Sequence, residues 1–184
     1  ITYAINTAIT SNDNNIITEL HQSLIHPLNN AVRYHQAMQL AMQDALTQLG
    51  NRRSFDEQIK RTMAQASRRK SRVGLILCDL NKFKAINDTF GHAVGDNVLV
   101  HFAKALGKSV RDTDSIFRFG GDEFAIILED ACEQSLVVIE QRIYHAMAQD
   151  ALLAKYKVTS SLGLAFMNQA DTPLSFFERA DSAL

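Results

Sequence analysis

The chain has 184 residues, enough for one domain with a sizeable core plus an appendage. It carries 19 Lys and Arg against 20 Asp and Glu, a formal net charge of −1, so no overall charge calls for nucleic acid or a membrane surface. Two cysteines, Cys78 and Cys132, lack metal-ligand spacing, which argues against structural zinc; no apolar run reaches transmembrane length. The chain opens on Ile1 rather than Met and reads as a piece of something longer.

Residues 1 to about 12 are polar and unpatterned. From roughly Asn14 to Leu46 the sequence has helical character, with no glycine and apolar residues at Ile17, Leu20, Leu24, Leu28, Val32, Met38, Met42 and Leu46. Pro27 should start a new helix there or kink one. A long helix with an apolar stripe and no partner in its own domain predicts a dimer stalk; the alternative is a helix folded back on the domain. His21, His26 and His35 lack a good ligand spacing and read as solvated.

Leu49-Gly50-Asn51 breaks the pattern. Ser54-Phe55-Asp56-Glu57 predicts a capping box with Ser54 as N-cap, and Phe55, Ile59, Met63 and Ala66 form the buried stripe of the helix that follows. Arg68-Arg69-Lys70 ends it, where cations suit the helix dipole. Val73 to Cys78 is a short apolar run, which predicts a buried strand with a buried thiol at Cys78. A polar loop is expected through Asp96, then a helix marked by Val98, Leu99, Phe102 and Leu106. Two strand-like runs at Ser115–Phe119 and Phe124–Leu128 flank Gly120-Gly121, which predicts a tight hairpin over 115–128. Leu136, Ile139, Ile143 and Met147 mark another helix. Lys157 to Met167 reads as a strand, and Thr172-Pro173 as N-cap and first residue of a last helix. Strands alternating with helices, with one pair a tight hairpin, predict an α/β (α+β) fold: a mixed central sheet with surrounding helices, preceded by the long N-terminal helix.

The chemistry concentrates in two stretches. Asp79 ends the first apolar strand, a place where α/β folds often put ligands. Asp122 and Glu123 follow the glycines directly. Carboxylates at the mouth of a buried strand repel each other unless a cation or a proton intervenes, so the hairpin suggests a divalent metal. Glycines there let a bulky ligand approach the backbone. The bland alternatives are a helix cap for Asp79, an N-cap at Val98 for Asp96, core packing for Phe83, and an exposed ion pair for Arg111 and Asp114.

Asp79-Leu80-Asn81-Lys82-Phe83-Lys84, Ile86-Asn87-Asp88, Gly91-His92, Gly95-Asp96 and Gly120-Gly121-Asp122-Glu123-Phe124 together resemble the GGDEF family, whose active members are diguanylate cyclases. The resemblance covers about residues 44 to 184, from Asp44-Ala45-Leu46-Thr47 to Ala180-Asp181-Ser182-Ala183-Leu184. It divides the chain into a signalling or dimerisation segment at 1–46 and a cyclase domain at 47–184, akin to polymerase palm domains. It implies condensation of two GTP into cyclic di-GMP with release of two pyrophosphates, dependent on Mg²⁺ with Mn²⁺ as the alternative. Asp79, the carbonyl of Leu80, Asp122 and Glu123 match the family's metal positions, and Asp122, assisted by Glu123, its catalytic base. Asn87 and Asp96 match the guanine-reading pair. His92, Phe83, Lys84, Gly120 and Gly121 match further substrate positions. Arg111 and Asp114 match the inhibitory product site.

The resemblance further implies a homodimer with one GTP per protomer, an upstream sensor domain, a cytoplasmic setting and no nucleic-acid partner. The competing expectation is an inactive module that binds GTP or cyclic di-GMP and regulates a partner. An adenylyl-type cyclase is disfavoured by Asn87 and Asp96. Asn81 replaces a common second aspartate, and Gln48 and Gly50 depart from the usual Leu-Thr-Gly-Leu-Pro turn. The chain reaches Leu184 before the family's terminal lysine and arginine phosphate contacts.

Overall fold

A computed structural model describes residues 19, 21, 23–33 and 41–184. The chain divides into two units, Ile1–Ala41 and Met42–Leu184. In the first unit residues 23–33 form a helix, α1, with Pro27 inside it rather than at its start. Leu24, Leu28 and Val32, four residues apart, are 57%, 60% and 53% exposed along one stripe. His21 and His26 are exposed as expected. Ile17, Leu20, His35 and Met38 lie outside the described residues.

The helical pattern does not continue to Leu46. Residues 41–49 turn instead, because Asp44 offers the backbone another partner. Its Oδ1 accepts from the amide of Thr47 at 2.8 Å and from the Thr47 hydroxyl at 2.6 Å. Gln48 takes a left-handed φ of 61°. Leu46 then packs on the core of the second unit rather than extending the stripe.

The second unit is built on a five-stranded sheet in the order β1-β3-β4-β2-β5. β1 (Gly50–Asn51) runs parallel to β3 (Ser115–Gly120). β4 (Glu123–Leu128), β2 (Gly74–Leu80) and β5 (Ser160–Phe166) complete it with antiparallel pairs. The expected mixed sheet is therefore present.

Helix α2 (Arg52–Arg69) buries Phe55, Ile59, Met63 and Ala66 as predicted. Its N-cap, however, is Asn51 and not Ser54. The Asn51 side chain accepts from the Ser54 amide at 3.1 Å, and the Ser54 hydroxyl returns a bond to the Asn51 carbonyl at 2.8 Å. The cap lies three residues earlier because Asn51 is the last extended residue before the helix. At the other end Lys70 sits at φ 56°, a conformation that suits glycine. Lys70→Gly should therefore raise unfolding stability by about 0.5–1 kcal/mol. Urea denaturation with an unchanged or lowered midpoint would contradict this.

The segment expected to be a polar loop contains helix α3 (Phe83–Phe90), and α4 (His92–Ser109) starts well before Val98. Phe83 and Ile86 supply α3 with a buried face of their own. Helix α5 (Glu133–Gln149) buries Leu136, Ile139, Ile143 and Met147. The short α6 (Ala151–Lys155), not foreseen, is capped by Asp150, which accepts from the amides of Leu152 and Leu153. Helix α7 (Pro173–Asp181) has the predicted Thr172 cap and Pro173 start.

Strand alternation divides the core into two layers. Leu75, Leu77, Ala125 and Ile127 meet α2 and α7 through Phe55, Ile59, Phe176 and Ala180. Ile76, Cys78, Leu80, Phe124 and Ile126 meet α4 and α5 through Phe102, Leu106, Ile139 and Ile143. Burial pushes the Cys78 thiol pKa far up, which suits an inert core residue.

Candidate active site

β2 is apolar and buried until Asp79, and β4 begins beside it at Glu123. Asp79 pairs with Glu123 in the antiparallel register, and the Leu80 amide donates to the Asp122 carbonyl at 3.4 Å. The turn between β3 and β4 is Gly121-Asp122, while Gly120 ends β3 after a register shift beyond Arg118. Gly120 and Gly121 have φ of 134° and 55°; the first is open only to glycine, and the second is a left-handed turn that glycine adopts without strain. Asp79 and Asp122 are half-buried and Glu123 is exposed.

Asp79 records the electrostatics of this edge. Burial raises its carboxyl above the ordinary value, and the charges of Asp122 and Glu123 raise it further. Among the described residues no three His, Cys, Asp or Glu side chains converge into a preformed cage. The donor set nonetheless fits a hard divalent cation: carboxylate oxygens on adjacent strands that already repel one another, with a backbone carbonyl at Leu80.

Arg118 braces the turn. Its Nε and Nη2 donate to the Gly121 carbonyl at 3.1 and 2.7 Å. Its Nη1 reaches both oxygens of Asp44 at 2.9 and 3.0 Å. The two side chains are only 10% and 19% exposed. Burial would raise the Asp44 carboxyl, but hydrogen bonds from Thr47 and Arg118, together with the guanidinium charge, hold it below its ordinary value. Asn81 similarly ties the Asp79–Leu80 strand end to β5. Its amide nitrogen donates to the Thr159 carbonyl at 2.9 Å, its side chain donates to the Thr159 hydroxyl at 3.2 Å, and it accepts from Ser161 at 2.9 Å. A cleft of about 590 Å³ opens beside Asn81 and Lys82.

The remaining candidates sit on the helices. Asn87 is half-buried on α3; Lys84, His92 and Asp96 are exposed on α3 and α4. Asp96 is no helix cap, because α4 is capped at Gly91 and Asp96 lies inside it. Asp79 caps nothing either, since the N-cap of α3 is Lys82. Phe83 is 8% exposed and packed in the core, so its side chain is accounted for by packing. Arg111 and Asp114 lie in the loop between α4 and β3. The Asp114 carboxylate accepts from the Arg111 amide at 2.9 Å, and the Arg111 guanidinium makes no ion pair among the described residues. The predicted residues thus divide into an acidic sheet edge, a helical pair and a separate loop.

The second unit is thus a mixed sheet with carboxylates on neighbouring antiparallel strands, flanked by helices bearing amide and carboxylate groups, a fold shared with solved GGDEF domains. Residues 41–184 match the model of the diguanylate cyclase GGDEF domain, and the chain belongs to that family. It is 36% identical over 182 residues to the diguanylate cyclase DgcS of Shewanella oneidensis, covering 99% of this chain and 61% of that protein. It is 36% identical over 154 residues to the response regulator PleD of Caulobacter vibrioides, covering 80% of this chain but 34% of that protein. The coiled coil and GGDEF domain of DgcB from Caulobacter crescentus, solved with c-di-GMP, superposes with a TM-score of 0.83 at 27% identity, covering 91% of each chain.

Proposed function

We propose that this chain is the catalytic part of a diguanylate cyclase, joining two GTP molecules into cyclic di-GMP. The observation that carries this reading is the acidic edge, with Asp79 held against Asp122 and Glu123 by strand register. Each GTP 3′-oxygen forms a bond to the α-phosphorus of the other nucleotide, the bond to pyrophosphate breaks, and Asp122 takes the hydroxyl proton with Glu123 beside it. Cyclases of this class are metal-dependent; Asp79, the Leu80 carbonyl, Asp122 and Glu123 would hold Mg²⁺, or Mn²⁺ in its place. When bound, the ion lowers the pKa of the attacking hydroxyl and neutralises charge on the phosphates. Asn87 and Asp96 read guanine, since an amide and a carboxylate pair with its N–H and carbonyl groups while adenine leaves them mispaired. His92, Lys84 and the backbone at Phe83 face the rest of the nucleotide, and Gly120-Gly121 leaves it room.

One GTP per domain means that two domains must meet. Residues 1–46 serve as the signalling and dimerisation segment and 47–184 as the cyclase; the exposed stripe of Leu24, Leu28 and Val32 on α1 supports a helix pair. The setting is the cytoplasm, where GTP is available, with an upstream sensor in the parent protein; no described helix is long and apolar enough to cross a membrane. The decisive test is incubation with GTP and Mg²⁺ and detection of cyclic di-GMP and pyrophosphate. GTP binding without either product would favour the regulatory-module reading.

Arg111 and Asp114 form the product site, supported by the Arg111 guanidinium's lack of an ion-pair partner among the described residues. Arg111→Ala should raise the half-inhibitory concentration of cyclic di-GMP by at least about tenfold, the worth of one charge-assisted contact. Superimposable inhibition curves for the two proteins would remove this assignment.

A further inference from the structure

Gly95 lies buried in the first turns of α4, and its backbone is helical rather than left-handed. Nothing in the backbone therefore requires glycine, and alanine is the better helix former. What requires glycine is space. A methyl group at this position would stand 1.8 Å from Oδ1 and 2.9 Å from Cγ of Asn87, and 3.3 Å from the Phe83 ring. The Asn87 amide on α3 thus lies directly on the bare Cα of α4, one residue before Asp96. The two helices join through Gly91, whose amide donates to the Asn87 carbonyl at 2.8 Å, so the backbone of Asn87 is held while its side chain is seated by Gly95.

We propose that Gly95 is a specificity-determining positioning residue: its missing side chain sets the Asn87 amide beside Asp96 at the guanine edge. This rests on the assignment of Asn87 to the base. Any side chain at position 95 turns the Asn87 amide away while leaving the acidic edge of the sheet, on other elements, in place.

The test measures KM and kcat for GTP and ITP and the inhibition constant of ATP in four proteins: wild type, Gly95→Ala, Asn87→Ala and the double variant. Gly95→Ala should raise KM for GTP about tenfold and shift the nucleotide preferences as Asn87→Ala does, with kcat changed much less. In the Asn87→Ala background, where the obstructing amide is gone, Gly95→Ala should add almost nothing to KM and should raise the melting temperature. A Gly95→Ala protein that keeps wild-type preferences while Asn87→Ala loses them overturns this proposal alone. So does a Gly95→Ala effect that is undiminished in the double variant. Unchanged preferences in Asn87→Ala overturn it together with the base assignment. Should Gly95→Ala alone fold poorly, recovery of the folded protein in the double variant supports the steric link, and failure to recover counts against it.

Discussion

Asp79→Ala or Asp122→Ala is expected to lower cyclic di-GMP formation at least about a thousandfold, the scale on which loss of a transition-state charge stabiliser acts. Neither change should unfold the domain. Asp79 is destabilised by its surroundings, since burial and then the charges of Asp122 and Glu123 raise its pKa, so removing it relieves repulsion. The metal-free Asp79→Ala domain should accordingly melt at or above the wild-type temperature. The sign of the pH dependence follows from the same shift. A carboxyl with a raised folded pKa holds its proton to higher pH, so the metal-free wild type gains stability as pH falls through that pKa towards the ordinary aspartate value. Proton and cation compete for the same oxygens, and the half-saturating Mg²⁺ concentration should rise as pH is lowered. Turnover within a few-fold of wild type in either variant, or a metal requirement indifferent to pH, would contradict the role given to this edge.

Arg118→Ala should cost about 2 kcal/mol of stability, because it leaves the half-buried Asp44 carboxylate with Thr47 alone and frees the Gly121 carbonyl at one stroke. Asp44 has a folded pKa below its ordinary value, so its contribution is present above the unfolded pKa and is lost as pH falls through the folded one. The wild type should therefore lose stability in acid more steeply than Arg118→Ala. Turnover should fall as well, since the arginine holds the turn that carries Asp122. Guanidinium unfolding with a loss under 1 kcal/mol, or parallel acid limbs, would show the brace to be weak.

What the sequence made legible was whatever repeats along one element. The apolar stripe of α2, the run of β2, the hairpin and the Thr172 cap are all local patterns, and all are present. The misreadings are also local, but two signals competed there. Ser54 and Glu57 mimic a capping box, yet Asn51 is placed first. The polar loop hid α3 because a helix with only two buried residues leaves little periodicity. The stripe towards Leu46 looked helical until the Asp44 turn intervened. The candidate site was legible as motifs. Its supports were not: Arg118 meets Asp44 across 74 positions and Asn81 meets Ser161 across 80, and no single sequence marks such pairs. Gly95 looked like one more motif glycine, and only the path of α3 gives it a reason.

The register that pairs Asp79 with Glu123 also sets when the acidic edge can exist. The β3–β4 hairpin is local and can close early, but β2 must find β4 across two intervening helices, α3 and α4. Until that docking occurs, Asp79 stands apart from Asp122 and Glu123, hydrated and indifferent to them. Their repulsion therefore arises only once Leu75, Ile76 and Leu77 are being buried, when the gain from burial can offset it. A cation or nucleotide that needs this edge has nothing to template in the nascent chain. It can only hold the finished fold, slowing unfolding rather than speeding folding.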